Sequence, residues 1–274
     1  MKNAIGIMQG RLSPPVNERI QAFPLYTWEQ EFFWAKEVGL DHIDWVIDNN
    51  TLHKNPLFTA QGREVIKDLV SKTGVHIEAV CAHYFTECPL IRCTESELKE
   101  RLNVLDSLIE NLSNIGIKYL ELPFLDNSVI KNKTELDQIL QIIQPRLDKV
   151  YQQGAKLAFE TSLSPKLFKD FLLNFNHPAA GITYDMGNSA SLGYDPAEEL
   201  ETYGDLIVTV HIKDRLLKGR TVFLGGGNAD FDICFSILRS KKYPGPFILE
   251  VARVGNEIES ARNNLSFVKN FLKE

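Results

Sequence analysis

The segment WEQEFFWAKEVGLDHIDWVI (28–47) sets out the fold in miniature. Trp28–Val38 reads as a helix, and Gly39 offers the positive φ at which helices commonly stop. The apolar run His42–Ile47 then follows as a strand. The same succession of helix, glycine and strand recurs along the chain. Arg63–Thr73 meets Gly74 before Val75–Cys81. Leu98–Ile115 places Leu102, Leu105, Leu108, Ile109 and Leu112 on one face at three- and four-residue spacing, then meets Gly116 before Lys118–Leu122. Leu136–Gln153 ends at Gly154 before Lys156–Glu160. Further strand-like runs are Ala4–Met8, Gly181–Tyr184, Leu206–His211 and Phe247–Val251, which brings the total to eight. The 243 residues from Ala4 to Phe247 span seven intervals of about 35, room for a strand, a helix and two loops.

Repeated helix–glycine–strand junctions are the turns expected of parallel βα units. Eight such units in one chain fit an α/β fold of the (β/α)8 TIM-barrel type, a single domain over residues 1–274. A doubly wound open sheet would carry G-x-G-x-x-G after its first strand, and MQGRLSPP (8–15) lacks it. The units between strands five and six and between six and seven are short for a barrel, at about 25 residues each.

Composition narrows the function classes. With 274 residues, 44% hydrophobic, 17 Gly and 12 Pro, the chain is neither disordered nor collagen-like. Its charge, 30 − 36 = −6, argues against nonspecific duplex binding and against an anionic membrane surface. No apolar run approaches the ~18 residues of a membrane span, and MKNAIGIMQGR (1–11) has no h-region behind it. Cys81, Cys88, Cys93 and Cys234 form no C-x-x-C pair and read as reduced thiols. A cytoplasmic protein without nucleic-acid or membrane partners is expected.

Barrel chemistry sits where the strands end. KLAFE ends in Glu160, GITYD in Asp185, IVTVH in His211 and FILE in Glu250. One such Glu alone would be read as an exposed polar residue. Four in succession, each preceded by apolar strand residues, point to a site for one divalent ion, Mn²⁺, Mg²⁺, Co²⁺ or Zn²⁺. Without a cation, clustered carboxylates repel one another and raise their own pKa values.

These four residues, with YDMGN (184–188), HIKD (211–214) and LGGGNADF (224–231), resemble the sugar phosphate isomerase/epimerase family, the xylose-isomerase-like TIM barrels. The opening IGIMQGRLSPP (5–15) is similar to a hexulose- and pentulose-phosphate epimerase-like subgroup, and the resemblance spans nearly the whole chain. It implies a metal-dependent epimerase or isomerase of a ketose or ketose phosphate. The reaction would invert C3 through a metal-stabilised enediolate, with Glu160 and Glu250 as the acid/base pair on opposite faces of the sugar and Asp185 and His211 chiefly as ligands. Two positions depart from the family. Many members place a substrate-contacting His three residues after the strand-six Asp, where this chain has Asn188. Many also have Glu within the LGxG loop, where Gly226 stands.

Other candidates surround this set. Gln9 and Arg11 continue the alternation of Ile5 and Ile7, which makes Arg11 either a phosphate or sugar-hydroxyl contact or a solvated loop residue. Lys213 shares the direction of His211 and faces either a substrate phosphate or Glu250. The glycines of LGGGNADF either offer backbone N–H groups to phosphate or make a tight turn into a helix capped by Asp230 or Asp232. His83, at the end of strand three, either hydrogen-bonds a sugar hydroxyl or is a satisfied structural residue; Glu121, at the end of strand four, is the better candidate for a substrate contact, and Asp44 is similar, or pairs with a neighbour. His42, His53, His76 and His177 read as structural or surface residues. Phe23, Tyr26, Phe85, Phe124 and Tyr184 supply either an aromatic lid or core packing. Rival functions are a sugar or inosose dehydratase on the same metal site, and a non-catalytic sugar-binding barrel. An abasic-site endonuclease would need more strand-end histidines. The expected partner is a small sugar or sugar phosphate, with a homo-oligomer possible because such barrels often pair.

Overall fold

The computed structural model describes residues 3–253 and 255–273. Eight parallel strands run in chain order: β1 Ile5–Met8, β2 His42–Val46, β3 Ala79–Cys81, β4 Tyr119–Phe124, β5 Lys156–Thr161, β6 Ala180–Asp185, β7 Ile207–Ile212 and β8 Phe247–Leu249. Each pairs with its sequence neighbour, and β8 closes on β1, so the sheet is a barrel without edges. Closure fixes the register, for example Gly6 opposite both His42 and Ile248.

The glycine stops behave as their sequence context implies. Gly39, Gly74, Gly116 and Gly154 all take positive φ, between 73° and 89°. Three helices differ from expectation in extent. The second begins at Ala60, three residues early, behind its N-cap Thr59. The third begins at Glu95, because Thr94 and Glu97 form a reciprocal capping box. The fourth is divided into Lys133–Ile143 and Leu147–Gln152, because Pro145 cannot continue the backbone ladder. The two short units hold compact helices, Pro165–Phe175 after β5 and the pair Met186–Leu192 and Pro196–Tyr203 after β6.

Most of the core lies between strands and helices. Trp45 packs against Phe23 at 5.4 Å, and Phe159 stacks on Phe175 at 5.1 Å. Phe23, Phe85, Phe124 and Tyr184 are buried here, so packing rather than a lid accounts for them, while Tyr26 is exposed. Among the described residues no helix is long and apolar enough to cross a membrane.

Inside the barrel the filling is different. An apolar cluster of Met8, Val46, Ala79, Cys81 and Ile248 shares that space with buried Asp44, Glu121, Thr183, Thr209 and His211. Parallel register puts Met8 beside Asp44, Cys81 beside Glu121, and Thr183 beside Thr209. At the foot, His42 occupies the space where a Cβ on Gly6 would sit 2.1 Å from its ring, so only glycine fits there.

The loop leaving β1 is pinned from below. Buried Glu31 receives Gly10 N–H on both carboxylate oxygens at 3.0 Å, the Ser13 hydroxyl at 2.8 Å and Leu12 N–H at 3.3 Å. Burial nevertheless pushes its pKa from 4.5 up to about 7. The folded state therefore holds this proton more tightly than the unfolded chain. Its contribution is full below pH 4.5 and is lost as pH rises through about 7. The loss across that window is on the order of 3 kcal/mol. Chemical denaturation at pH 4.5 and pH 7 should show a flatter dependence in Glu31→Gln than in wild type, and equal slopes would contradict the assignment.

Candidate active site

The ends of β5 to β8 bring the strand-end residues together. Register sets Asp185 beside His211. Glu250 lies one residue past β8, its N–H bonded to Ile212 O at 3.0 Å, so the ladder still positions it. One carboxylate oxygen each from Glu160 and Asp185 and a ring nitrogen of His211 lie within 4.8 Å of one another. Glu250 Oε2 lies 3.0 Å from His211 Nδ1. A cavity of about 580 Å³ opens at this end, lined by Glu160, Glu250, Lys213, Asn188, His83 and Gln21 among others.

His211 is held from beneath. Its Nε2–H donates to Glu121 Oε2 at 3.0 Å, while Glu121 Oε1 accepts the Thr209 hydroxyl at 2.7 Å. Asp44 Oδ2 lies 3.7 Å from the same ring nitrogen. Burial, then the neighbouring Glu121 charge, pushes the Asp44 carboxyl well above its usual range. Among the described residues neither Asp44 oxygen receives a hydrogen bond, and a protonated Asp44 would itself be a donor. Nδ1 is also buried and without an aligned hydrogen-bond partner, although Glu250 is near.

The donor set fits a divalent cation. A carboxylate–histidine pair beneath, a free imidazole nitrogen above and two carboxylates within reach form the usual arrangement of ligands and their supports. Glu160, Asp185 and His211 would hold the ion, with Glu250 adjoining. The pKa directions show what the cluster costs without a counter-charge. Burial, then Asp185, pushes Glu160 up to about 8; burial also raises Asp185. His211 is raised well above its usual value, because Glu121 and then Glu250 outweigh its burial. Glu250 is held well below its usual range, since Lys213, His211 and Arg11 together overcome the burial that opposes them.

A family model described as xylose isomerase-like TIM barrel matches residues 32–271. The chain belongs to this family. Among curated relatives of this xylose isomerase-like barrel is the L-ribulose-5-phosphate 3-epimerase UlaE of Salmonella heidelberg (strain SL476), 24% identical over 234 residues, 82% of each chain. Among solved structures, an L-ribulose 3-epimerase superposes with TM-score 0.77 at 12% identity, covering 99% of this chain and 95% of that one. A xylose isomerase-like barrel of Mycobacterium smegmatis in complex with magnesium gives 0.73 at 16%, covering 98% and 96%. The named relatives are sugar epimerases, which are isomerases, in line with the activity class expected from sequence.

Several expected contacts fall elsewhere in the xylose isomerase-like barrel. Arg11 is not at the mouth, because the chain leaves β1 at Met8 and turns at Gly10, which ends the strand alternation. The guanidinium is buried, with Nε on Val251 O at 2.9 Å and Nη1 on Ile20 O; Nη2 lies 3.8 Å from Glu250. Burial lowers its pKa to about 10. Glu121 is not a substrate contact, since it lies within the barrel under His211. Lys213 takes the Glu250 alternative, its ammonium 2.7 Å from Glu250 and 3.1 Å from Asp185. The backbone N–H groups of Gly225, Gly227 and Ala229 all donate to the buried carboxylate of Asp214 at 2.9–3.0 Å, which leaves the loop a turn capped by Asp230 rather than a phosphate cradle.

His83 and Asn188 do face the cavity. Asn188 Nδ2 donates to Glu160 at 2.6 Å, and its Oδ1 accepts from Arg215 at 2.8 Å. Sequence reading missed Arg215 and Gln21. Arg215 lies two residues past Lys213, the same step that had marked Lys213; Gln21 sits in a loop without periodicity.

Glu121 gives a direct test of the support beneath His211. Calorimetric titration with Mn²⁺ should show affinity about 10- to 100-fold weaker in Glu121→Ala than in wild type. Glu121→Gln, which keeps an acceptor for Nε2–H, should lose less; equal affinity in all three proteins would rule the role out.

Proposed function

We propose that this chain is a divalent-metal-dependent 3-epimerase acting on a ketose or ketose phosphate. The observation that carries the reading is the buried cluster of Glu160, Asp185 and His211, with Glu250 3.0 Å from His211 Nδ1, beside a cavity that Glu160 and Glu250 line. A divalent ion held by Glu160, Asp185 and His211 would supply Lewis-acid stabilisation of negative charge beside the carbonyl. L-Ribulose 5-phosphate, for which the curated relative is named, is the first sugar to test.

The protein's own groups divide the remaining work. Glu160 and Glu250 come from strands separated by two others, so they approach the cavity from different sides. Their environments push the two carboxyls apart, Glu160 towards its protonated form and Glu250 towards its carboxylate. Glu250 accepts the C3 proton in one direction and Glu160 returns one from the other side; the roles exchange in reverse. Lys213 and Arg11 keep Glu250 ionised. Asn188 orients Glu160 through its 2.6 Å hydrogen bond, and Arg215 in turn fixes the Asn188 amide.

The test is solvent exchange. L-Ribulose 5-phosphate, L-ribulose and D-allulose are incubated in D₂O with Mn²⁺ and followed by NMR. One deuteron at C3 together with the C3 epimer is expected, and chelation should stop both until metal is restored. Glu160→Gln and Glu250→Gln should each lower kcat by about 10²–10⁴-fold with unchanged circular dichroism. Deuterium at C1 would mean aldose–ketose isomerisation, and loss of water a dehydratase. If both variants match wild type, the acid/base assignment falls.

A further inference from the structure

The segment Ile20–Phe23, in the loop between β1 and helix Trp28–Val38, crosses the rim of the cavity. Arg11 and Arg253 both donate to Ile20 O, the latter at 3.2 Å. Three residues on, Phe23 N–H donates to the buried carboxylate of Asp48 at 2.7 Å, and the Phe23 ring packs on Trp45. Gln21 lies between these two anchors. It lines the cavity with 7% of its surface exposed, and both its Oε1 and its Nε2 are buried without a hydrogen-bond partner.

A primary amide buried with both ends unpaired is costly, and bonding to a neighbour or turning to solvent would relieve it. The braced backbone holds the side chain in place, and among the described residues no protein group bonds to either end. The missing partner is therefore an acceptor and a donor side by side, which a vicinal diol provides. One hydroxyl donates to Oε1 while its neighbour accepts from Nε2. His83 lines the same cavity as a neutral imidazole, its pKa lowered by burial, and adds no charge that would favour an anion there.

We propose that Gln21 is a specificity-determining residue that binds an adjacent pair of hydroxyls on the substrate, beyond the reacting carbon. This rests on the epimerase reading for the identity of the ligand, while the unpaired amide stands independently of it. In a pentulose the pair is the C4–C5 diol. Gln21 then selects polyhydroxy ketones over deoxy analogues, because loss of either hydroxyl leaves a buried amide group unpaired again.

The test compares wild type with Gln21→Leu. For C3 exchange, wild type should prefer L-ribulose over 4-deoxy-pentulose by about 10- to 100-fold in kcat/KM. The variant should lose that preference through a raised KM for L-ribulose, with kcat much less affected. Binding of ribitol, which cannot react, is measured by calorimetry and should weaken about tenfold or more in the variant. Gln21→Leu should also melt a few degrees higher than wild type, since it removes a buried unpaired amide. A merely structural Gln21 would instead give a lower melting temperature. Unchanged sugar preference together with unchanged ribitol binding would overturn the proposal, as would a wild type that binds no polyol. Ribitol binding that depends on Gln21 in a protein that exchanges no ketose would uphold the proposal and sink the epimerase reading instead.

Discussion

The hydrogen bond between His211 and Glu121, deep inside the barrel, is the contact on which the strand-end site depends. It fixes which ring nitrogen carries the proton, and so which one faces the cavity. Glu121 is in turn held by Thr209, and Thr209 by Thr183 at 2.9 Å. Burying these groups costs several kcal/mol per ion unless each finds a partner. The pairing is therefore what lets polar residues share the barrel interior with a small apolar cluster. It also restrains the ring, because rotation would cost Glu121 one of its two side-chain donors.

Charge balance at the mouth follows from the same constraint. Asp185 and Glu250 share the ammonium of Lys213, and Arg11 adds a second positive group behind Glu250. The net −6 of the chain says nothing about this region, where two full cations and a protonation-prone imidazole face the acids. Arg11 and Lys213 act here on the protein's own carboxylates. A substrate phosphate, where there is one, must be met by other groups.

Sequence carried the barrel because its signals were local. Gly39, Gly74, Gly116 and Gly154 each mark a backbone conformation that side chains disfavour, and the strands follow within a few residues. Glu160, Asp185, His211 and Glu250 were legible for a related reason, since strand ends in a parallel barrel share one face. What failed was extrapolation past the strand. Alternation suggested that Arg11 would reach the mouth, yet Gly10 turns the chain first. The glycines at 225–227 invited a phosphate, but the backbone donors of Gly225 and Gly227 belong to Asp214, eleven and thirteen residues earlier, and that of Gly226 to Phe223 O. Glu121 was placed at the rim because its position on β4 was visible and its pairing across the barrel to β7 was not.

Three loops around the mouth share one construction. A buried carboxylate sits beneath each and takes its backbone N–H groups: Glu31 under residues 10–12, Asp48 at Phe23 and Thr51, and Asp214 under residues 225–229. Amides used in this way are no longer free to cradle an anion. In the proposed reading, recognition falls instead to side chains that line the cavity, such as Gln21, His83, Asn188 and Arg215, where one substitution would alter the sugar accepted without disturbing the acids that perform the chemistry.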